Sequence, residues 1–379
     1  MRLVVLGDLH GRVDLFRSAL IGLGLTDSSG RWIGGRTCLI QLGDLLDRGP
    51  DPLACLSLAR ELEESAEAGG GQTVFLLGNH ELLALAAGCG SHQARLGWMM
   101  NGGDAVYAEW LGRRGEDMRQ QWPYQEEFFQ LFAPGSEHYQ WLAARPACWQ
   151  EGDLFFSHAG VGDHDWVSAE ELNRVVAELL ASPRAIAERG TAQRDIVTGR
   201  TGPLWLRDHR CDGVGRANDQ LGVAHQIIGH SPCGGLRVSC DGALVNIDSG
   251  MVQAGRWTAL EIVDGTWRFW AEGRSPLRTN PRQDQHLVVH QPVPVPPSRP
   301  PRYRPGQLVW MYGSTDKSHA VYFQIERLVA RHGLTWYHGK MLTRDGARWS
   351  QREAELPTGH VEGLGRLAGM SHDVPGEEQ

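Results

Sequence analysis

MRLVVLGDLHG (residues 1–11), RTCLIQLGDLLDRG (36–49) and TVFLLGNHE (73–81) repeat one local design: an aliphatic run, a glycine, then a carboxylate, amide or imidazole side chain. The runs Arg2–Leu6, Arg36–Leu42 and Thr73–Leu77 have the apolar content of buried strands, and each ends where a glycine lets the chain turn sharply. Helical periodicity fills the intervals at Val13–Leu23 and Pro52–Ala66, with Asp51 placed to cap the second. Alternation of strand and helix predicts an α/β fold, a sheet with helices on its faces. In such sheets the carboxyl ends of the strands share an edge, so residues distant in sequence meet there.

Two later segments follow a similar design, DLFFSHAG (153–160), with Ser157 where the others have glycine, and AHQIIGHSP (224–232). Further strand character lies at Ala243–Ile247, Trp257–Val263 and Thr266–Ala271, read as a meander. Ser168–Ala187 reads as a helix with Ser168 as cap and Glu171 at the capping-box position. The side chains that follow the five strands are Asp8, His10, Asp44, Asn79, His158 and His230, and His225 reads as packing. Carboxylate, amide oxygen and imidazole without thiolate suit manganese, iron or zinc in a two-metal site and do not suit a structural cysteine zinc site. One such turn alone would be only a turn. Five in this order, each behind a strand, point to an assembled metal centre.

Composition narrows the class. Of 379 residues 41% are hydrophobic, and 37 Lys+Arg against 45 Asp+Glu give a net charge of -8. There is then no global basic field for nucleic acid or an anionic membrane, although a local basic patch stays open. The apolar run Leu3–Leu6 is too short for a signal-peptide core, and no stretch reaches the roughly 20 apolar residues of a membrane span. A cytoplasmic protein is expected, with its seven cysteines, none in a CxxC pair, as buried free thiols.

Residues 82–147, rich in Trp, Gln and helix formers, read as a helical insertion, and the prolines between 273 and 302 as an extended linker. Gln307–Tyr312, Ala320–Val329, Leu334–Leu342 and Trp349–Leu356 are four short strands, suited to a small all-β barrel of Src-homology type over 303–359. The tail 360–379 is expected to be disordered. Trp310, Tyr312, Tyr322, Trp336, Tyr337 and Trp349 would either fill that barrel or form a platform for an unknown partner.

The motifs GDLHG, GDLLDRG and GNHE, followed by SHAG and GHSP, resemble those of the calcineurin-like metallophosphoesterases. More narrowly, the completion Asp47-Arg48-Gly49 resembles their bacterial phosphoprotein phosphatase branch. The resemblance covers about residues 1–272 and implies a β-sandwich flanked by helices in four layers (αββα). It implies one metal on Asp8, His10 and Asp44, a second on Asn79, His158 and His230 with Asp44 bridging, manganese as the favoured ion, and a bridging hydroxide as nucleophile. His80 would be the general acid and Asp47 its orienting carboxylate, with Arg48 binding phosphate as a two-pronged donor. A second phosphate-binding arginine is assigned to Arg207 in TGPLWLRD, with Arg216 as its rival. Asn101, in an NGG segment like that of bacterial relatives, either lines the substrate cleft or merely breaks a helix.

The leading function is hydrolysis of phosphoserine or phosphothreonine in proteins, extending to phosphotyrosine or small phosphate esters. An alternative keeps the site and cleaves dinucleoside polyphosphates or nucleic-acid phosphate ends. A third makes the protein a binding module acting through the barrel, against which stands the intact ligand set.

Overall fold

The computed structural model describes residues 1–90, 92–116, 118, 125–162, 168–189, 202–207, 209–281, 288–290, 308–312, 321–331, 334–345, 348–357 and 366–367. The first strands are β1 (Arg2–Leu6), β2 (Cys38–Gln41), β3 (Gln72–Phe75), β4 (Cys148–Glu151), β5 (Leu154–Ser157) and β6 (His225–Ile228). They are followed by β7 (Gly235–Ser239), β8 (Leu244–Asn246), β9 (Thr258–Val263), β10 (Thr266–Ala271), β11 (Leu277–Thr279) and β12 (Val288–His290). Two six-stranded mixed sheets result, ordered β11-β10-β9-β1-β2-β3 and β12-β7-β8-β6-β5-β4.

Period-two alternation fixes how the sheets pack. Leu3 and Val5 join Ile40, Val74, Phe156, Ile227, Val245 and Ile262 in an apolar layer between the two sheets. Val4 and Leu6 point the other way, into a core shared with Phe16, Leu20, Leu56 and Leu62 of the helices Val13–Gly22 and Pro52–Ala68. Each such side chain, once fully buried, contributes roughly 1.5–3 kcal/mol. A one-residue slip of β1 would therefore exchange both faces and lift Asp8 from the sheet edge. On the outside of the second sheet, Val214 of the helix Cys211–Leu221 packs on Ile228 and Leu244. The order is helices, sheet, sheet, helices.

The chain runs parallel through β1, β2 and β3 and through β5, β6 and β8. That places the turns after these strands at one edge. The expected meander is divided: β8 pairs with β6 and β7 in the second sheet, whereas β9 and β10 pair with β1 and each other in the first. Apolar runs of equal quality say that strands exist, not which sheet receives them. The helix read over Ser168–Ala187 stops at Leu180 and restarts at Pro183, because Pro183 brings no N–H and disfavours helix at the residue before it. Its Ser168 cap holds, the side chain accepting from Glu171 N at 3.1 Å. Asp51 stands at the N-cap of Pro52–Ala68 without a capping hydrogen bond from its side chain.

The chain divides into two compact units, Met1–Val293 and Pro294–Gln379. Within the stretch read as linker, β11 pairs antiparallel with β10 and β12 with β7. In the second unit β13 (Leu308–Tyr312), β14 (Val321–Arg331), β15 (Leu334–Asp345), β16 (Arg348–Pro357) and β17 (Arg366–Leu367) form one antiparallel sheet, ordered β16-β15-β14-β13-β17. Its first four strands coincide closely with those read from the sequence. Closure into a barrel is not part of this pairing among the described residues; of the tail expected to be disordered, Arg366–Leu367 instead pairs with β13, and residues 360–365 and 368–379 lie outside the described residues. The cysteines require one correction: Cys211 and Cys240 form a disulfide with Cα atoms 4.9 Å apart, while Cys38, Cys55, Cys89, Cys148 and Cys233 are free. The pair lies 29 positions apart in sequence, so no local spacing signals it.

Truncation after Val293 is expected to leave both sheets complete and the protein folded. Truncation after Arg274 removes two edge strands and should lower the melting temperature by about 2–4 °C per kcal/mol lost. Equal melting temperatures for the two forms would show that β11 and β12 add nothing.

Candidate active site

Six turns meet at the shared edge: the five found in the sequence and a sixth after β8, Ile247-Asp248-Ser249. The backbone there is strained, for His10, Asp44, Asp47, Arg48 and His230 all have φ between 44° and 72°. L-residues seldom adopt this region, Asn, Asp and His more readily than Arg, and the conformation costs on the order of 1–3 kcal/mol where surrounding contacts must impose it. Gly43 shows the crowding: a Cβ there would lie 2.6 Å from the backbone of Gly78. Glycine is required because two turns touch through their main chains.

Asp44 is the hub. Its Oδ2 lies 3.4 Å from His10 Nε2 and 3.4 Å from His158 Nε2, and its Oδ1 accepts from His80 N at 3.1 Å. On one side Asp8 Oδ2 is 4.0 Å from His10 Nε2. On the other, Asn79 Oδ1 is 2.8 Å from His158 Nε2 and 3.0 Å from His230 Nδ1. All six of these residues are buried. His10 Nδ1 donates to Leu46 O at 2.9 Å and His158 Nδ1 to Leu42 O at 2.8 Å, which leaves each Nε2 as a lone pair facing inward. For His230 the inward atom is Nδ1. The clusters His10, Asp44, His80 and Asp44, His158, His230 have the spacing to hold metal ions.

Electrostatics tests whether cations fit. Burial, then the neighbouring Asp248 and Asp44, pushes Asp8 well above the usual carboxylate range. Burial likewise pushes Asp44 up to about 7 and Asp248 up to about 6, and drives His158 down to about 4. Asp248 Oδ2 is buried with no hydrogen-bond partner among the described residues. A pocket that gathers carboxylates it cannot neutralise, beside imidazoles that resist protons, is suited to divalent cations.

His80 Nδ1 sits 2.5 Å from Asp47 Oδ2, so Asp47 fixes the ring. Arg48 donates through its two terminal nitrogens to His10 Nε2 at 2.6 Å and His80 Nε2 at 2.8 Å. Of the two arginines weighed for phosphate, Arg207 lies within the electrostatic reach of Arg48, Asp44, Asp8 and Asp248, whereas Arg216 pairs with Asp212 at 3.6 Å. The segment of Arg207 is docked on the His158 turn, since Ala159 N donates to Pro203 O at 2.7 Å. Asn101 is exposed and donates to Gly97 O at 2.7 Å, so its amide serves its own turn. His225 packs, bonded to Gly242 O at 2.7 Å.

Three residues escaped the sequence reading. Glu81 accepts from Asp44 N, Leu45 N, Leu46 N and Gly78 N at 2.8–3.1 Å and so clamps the second turn onto the third. Trp98 donates Nε1–H to Asp47 Oδ1 at 2.9 Å. Asp248 completes the carboxylate set. Only Asp248 had a signal, the familiar strand followed by acid and glycine.

Parallel strand ends, mixed oxygen and nitrogen ligands and paired guanidinium groups define a metal-dependent phosphoesterase. The family model described as calcineurin-like phosphoesterase matches residues 1–234, and the chain belongs to that family. Shewanella-like protein phosphatase 2 of Arabidopsis thaliana is 46% identical over 82 residues, covering 22% of this chain and 21% of that protein. Serine/threonine-protein phosphatase 1 of Salmonella typhimurium is 39% identical over 100 residues, 26% of this chain and 38% of that one. The symmetrical bis(5'-nucleosyl)-tetraphosphatase of an Acidovorax species is 37% identical over 93 residues, 24% and 28% of the two chains. These matches span about a fifth to two fifths of the relatives' lengths. Among solved structures, the cold-active protein-tyrosine phosphatase of a psychrophilic Shewanella species has a TM-score of 0.58 at 19% identity over 73% of this chain and 80% of that one, a likeness of fold. The relatives support the bacterial Ser/Thr phosphatase-like branch expected from the motifs. No described helix is long and apolar enough to cross a membrane.

Glu81→Gln should lower metal affinity about 10- to 100-fold with little change in aryl phosphate KM at saturating metal, because its amide cannot accept all four N–H groups. Titration with manganese checks it, and unchanged affinity would make the clamp dispensable.

Proposed function

We propose that the chain is a two-metal phosphomonoester hydrolase acting on phosphoserine and phosphothreonine in proteins, with phosphotyrosine and small phosphate esters as further substrates. The observation that carries this reading is Asp44 Oδ2, set 3.4 Å from the inward nitrogens of both His10 and His158. Asp8, His10 and Asp44 would hold one cation, manganese for preference, and Asp44, Asn79, His158 and His230 the other, with iron or zinc as alternatives. Cations bound there would acidify a water for attack and offset negative charge on the phosphoryl oxygens.

The protein's own groups do the rest. Arg48, with Arg207 at the cleft, binds the non-bridging oxygens through planar paired donors. When Arg48 turns to phosphate it releases His80 Nε2, whose ring Asp47 keeps aimed. Protonated at that atom, His80 delivers a proton to the departing alkoxide. Asn101 contributes through the turn it occupies. The similarity to a nucleoside tetraphosphatase supports a second reading, hydrolysis of dinucleoside polyphosphates at the same site.

The deciding experiment assays the metal-reconstituted protein on phosphopeptides, a diadenosine polyphosphate and an aryl phosphate. Preference for phosphopeptides supports the first reading, and preference for the dinucleotide replaces it with the second. Asp44→Asn should abolish hydrolysis and lower content of both metals, since one carboxylate serves both. Full activity with two bound ions would end the two-metal assignment. His80→Asn should keep the metals and slow turnover by roughly 10²–10⁴ on poor leaving groups, with a smaller loss on an aryl ester. Equal losses would remove His80 from the acid role.

A further inference from the structure

The helical insertion reaches the catalytic turn from behind. Trp98 ends the helix His92–Trp98 and is fully buried, its ring stacked on Phe128 at 5.3 Å and met edge-on by Phe132 at 5.2 Å. From this aromatic box Nε1–H donates to Asp47 Oδ1 at 2.9 Å, while Asp47 Oδ2 holds His80 Nδ1 at 2.5 Å. Asp47 is fully buried, so an oxygen left without its donor would have no water to replace it. Four residues on, Gly102 O accepts from Arg48 N at 3.1 Å, and Gly102 has φ 118° with its missing Cβ only 2.8 Å from Arg48 Cγ. The same short segment thus touches both Asp47 and Arg48.

We propose that Trp98 is a positioning residue for the general acid: its indole N–H fixes the Asp47 carboxylate, and through it the direction of the His80 ring. This rests on the reading of His80 as the acid. The aromatic box gives the donor its rigidity, for a fully buried indole stacked on Phe128 and in T-shaped contact with Phe132 holds its N–H in one direction, which a flexible donor would not. The role concerns leaving-group protonation alone. The indole N–H is given to Asp47 and to none of Asp8, His10, Asp44, Asn79, His158 and His230, so metal binding should not need it.

The test compares the full-length protein with Trp98→Phe and with a form carrying β-(3-benzothienyl)alanine at position 98, which keeps the bicyclic outline and replaces N–H by sulfur. Each is reconstituted with manganese and assayed for metal content, KM and kcat on a phosphoserine peptide and on p-nitrophenyl phosphate, with His80→Asn in parallel. Metal content and KM should stay as in the parent, and kcat on the phosphopeptide should fall about 10- to 100-fold, with a much smaller fall on the aryl ester. Unchanged kcat on the peptide, equal loss on both substrates or loss of metal in the benzothienyl form, while His80→Asn shows the leaving-group dependence, overturns the proposal alone. If His80→Asn lacks that dependence, the acid reading fails and the Trp98 proposal with it.

Discussion

Asp44 ties four of the six turns together, and the architecture of the site depends on those ties. Its carbonyl accepts from Leu9 N and His10 N at 3.0 and 2.8 Å, its N–H donates to Glu81, and its two carboxylate oxygens face His80 N on one side and His10 and His158 on the other. The residue itself sits at φ 58°. Such a backbone persists only where its surroundings over-determine it. Here each hydrogen bond that holds the strained loop also aims a functional group, so stability and geometry are supplied by the same contacts.

The strand ends were legible because two signals coincide there, an aliphatic run and a glycine followed by a polar group. Asp8, His10, Asp44, Asn79, His158 and His230 were named on that basis, and the fold brings them to one edge. What lay beyond reach depends on tertiary contact. The partition of β8 and β9 between sheets follows from a crossover that leaves no periodic trace. The short strands β4, β7, β11 and β12 lack a long apolar run, and β11 and β12 fall among prolines. Glu81 was visible within GNHE, yet nothing in that motif tells that its carboxylate accepts four backbone donors of two turns. Trp98 looked like one aromatic among many in the insertion, and the Cys211–Cys240 pairing joins a helix start to a tight turn that approach only after folding.

In the NGG segment side chain and backbone make separate contacts. Asn101 invited a role because amides bind substrates, but its side chain closes its own turn. The glycine beside it carries the contact to Arg48. A backbone carbonyl and a missing Cβ leave no mark in a residue-type argument, which weighs side chains by their chemistry. The insertion packs aromatic mass behind the Asp47-Arg48 turn and reaches it through one indole and one glycine.

Charge balance explains why such a pocket would select a phosphate dianion. Asp8, Asp44, Asp47, Glu81 and Asp248 are buried together, and two of them are already answered. Glu81 is satisfied by four N–H groups and Asp47 by Trp98 and His80. Asp8, Asp44 and Asp248 remain, three negative charges where water is scarce. Two divalent cations, as proposed, would bring four positive charges against five carboxylates, since bonds from neutral N–H groups leave the charges of Asp47 and Glu81 in place, and Arg48 and Arg207 then bring the site to about one positive. A phosphoryl dianion then lowers the electrostatic energy of the pocket, whereas a neutral ester gains little. The overall charge of -8 does not oppose this, because the field of nearby buried ions outweighs that of distant screened ones.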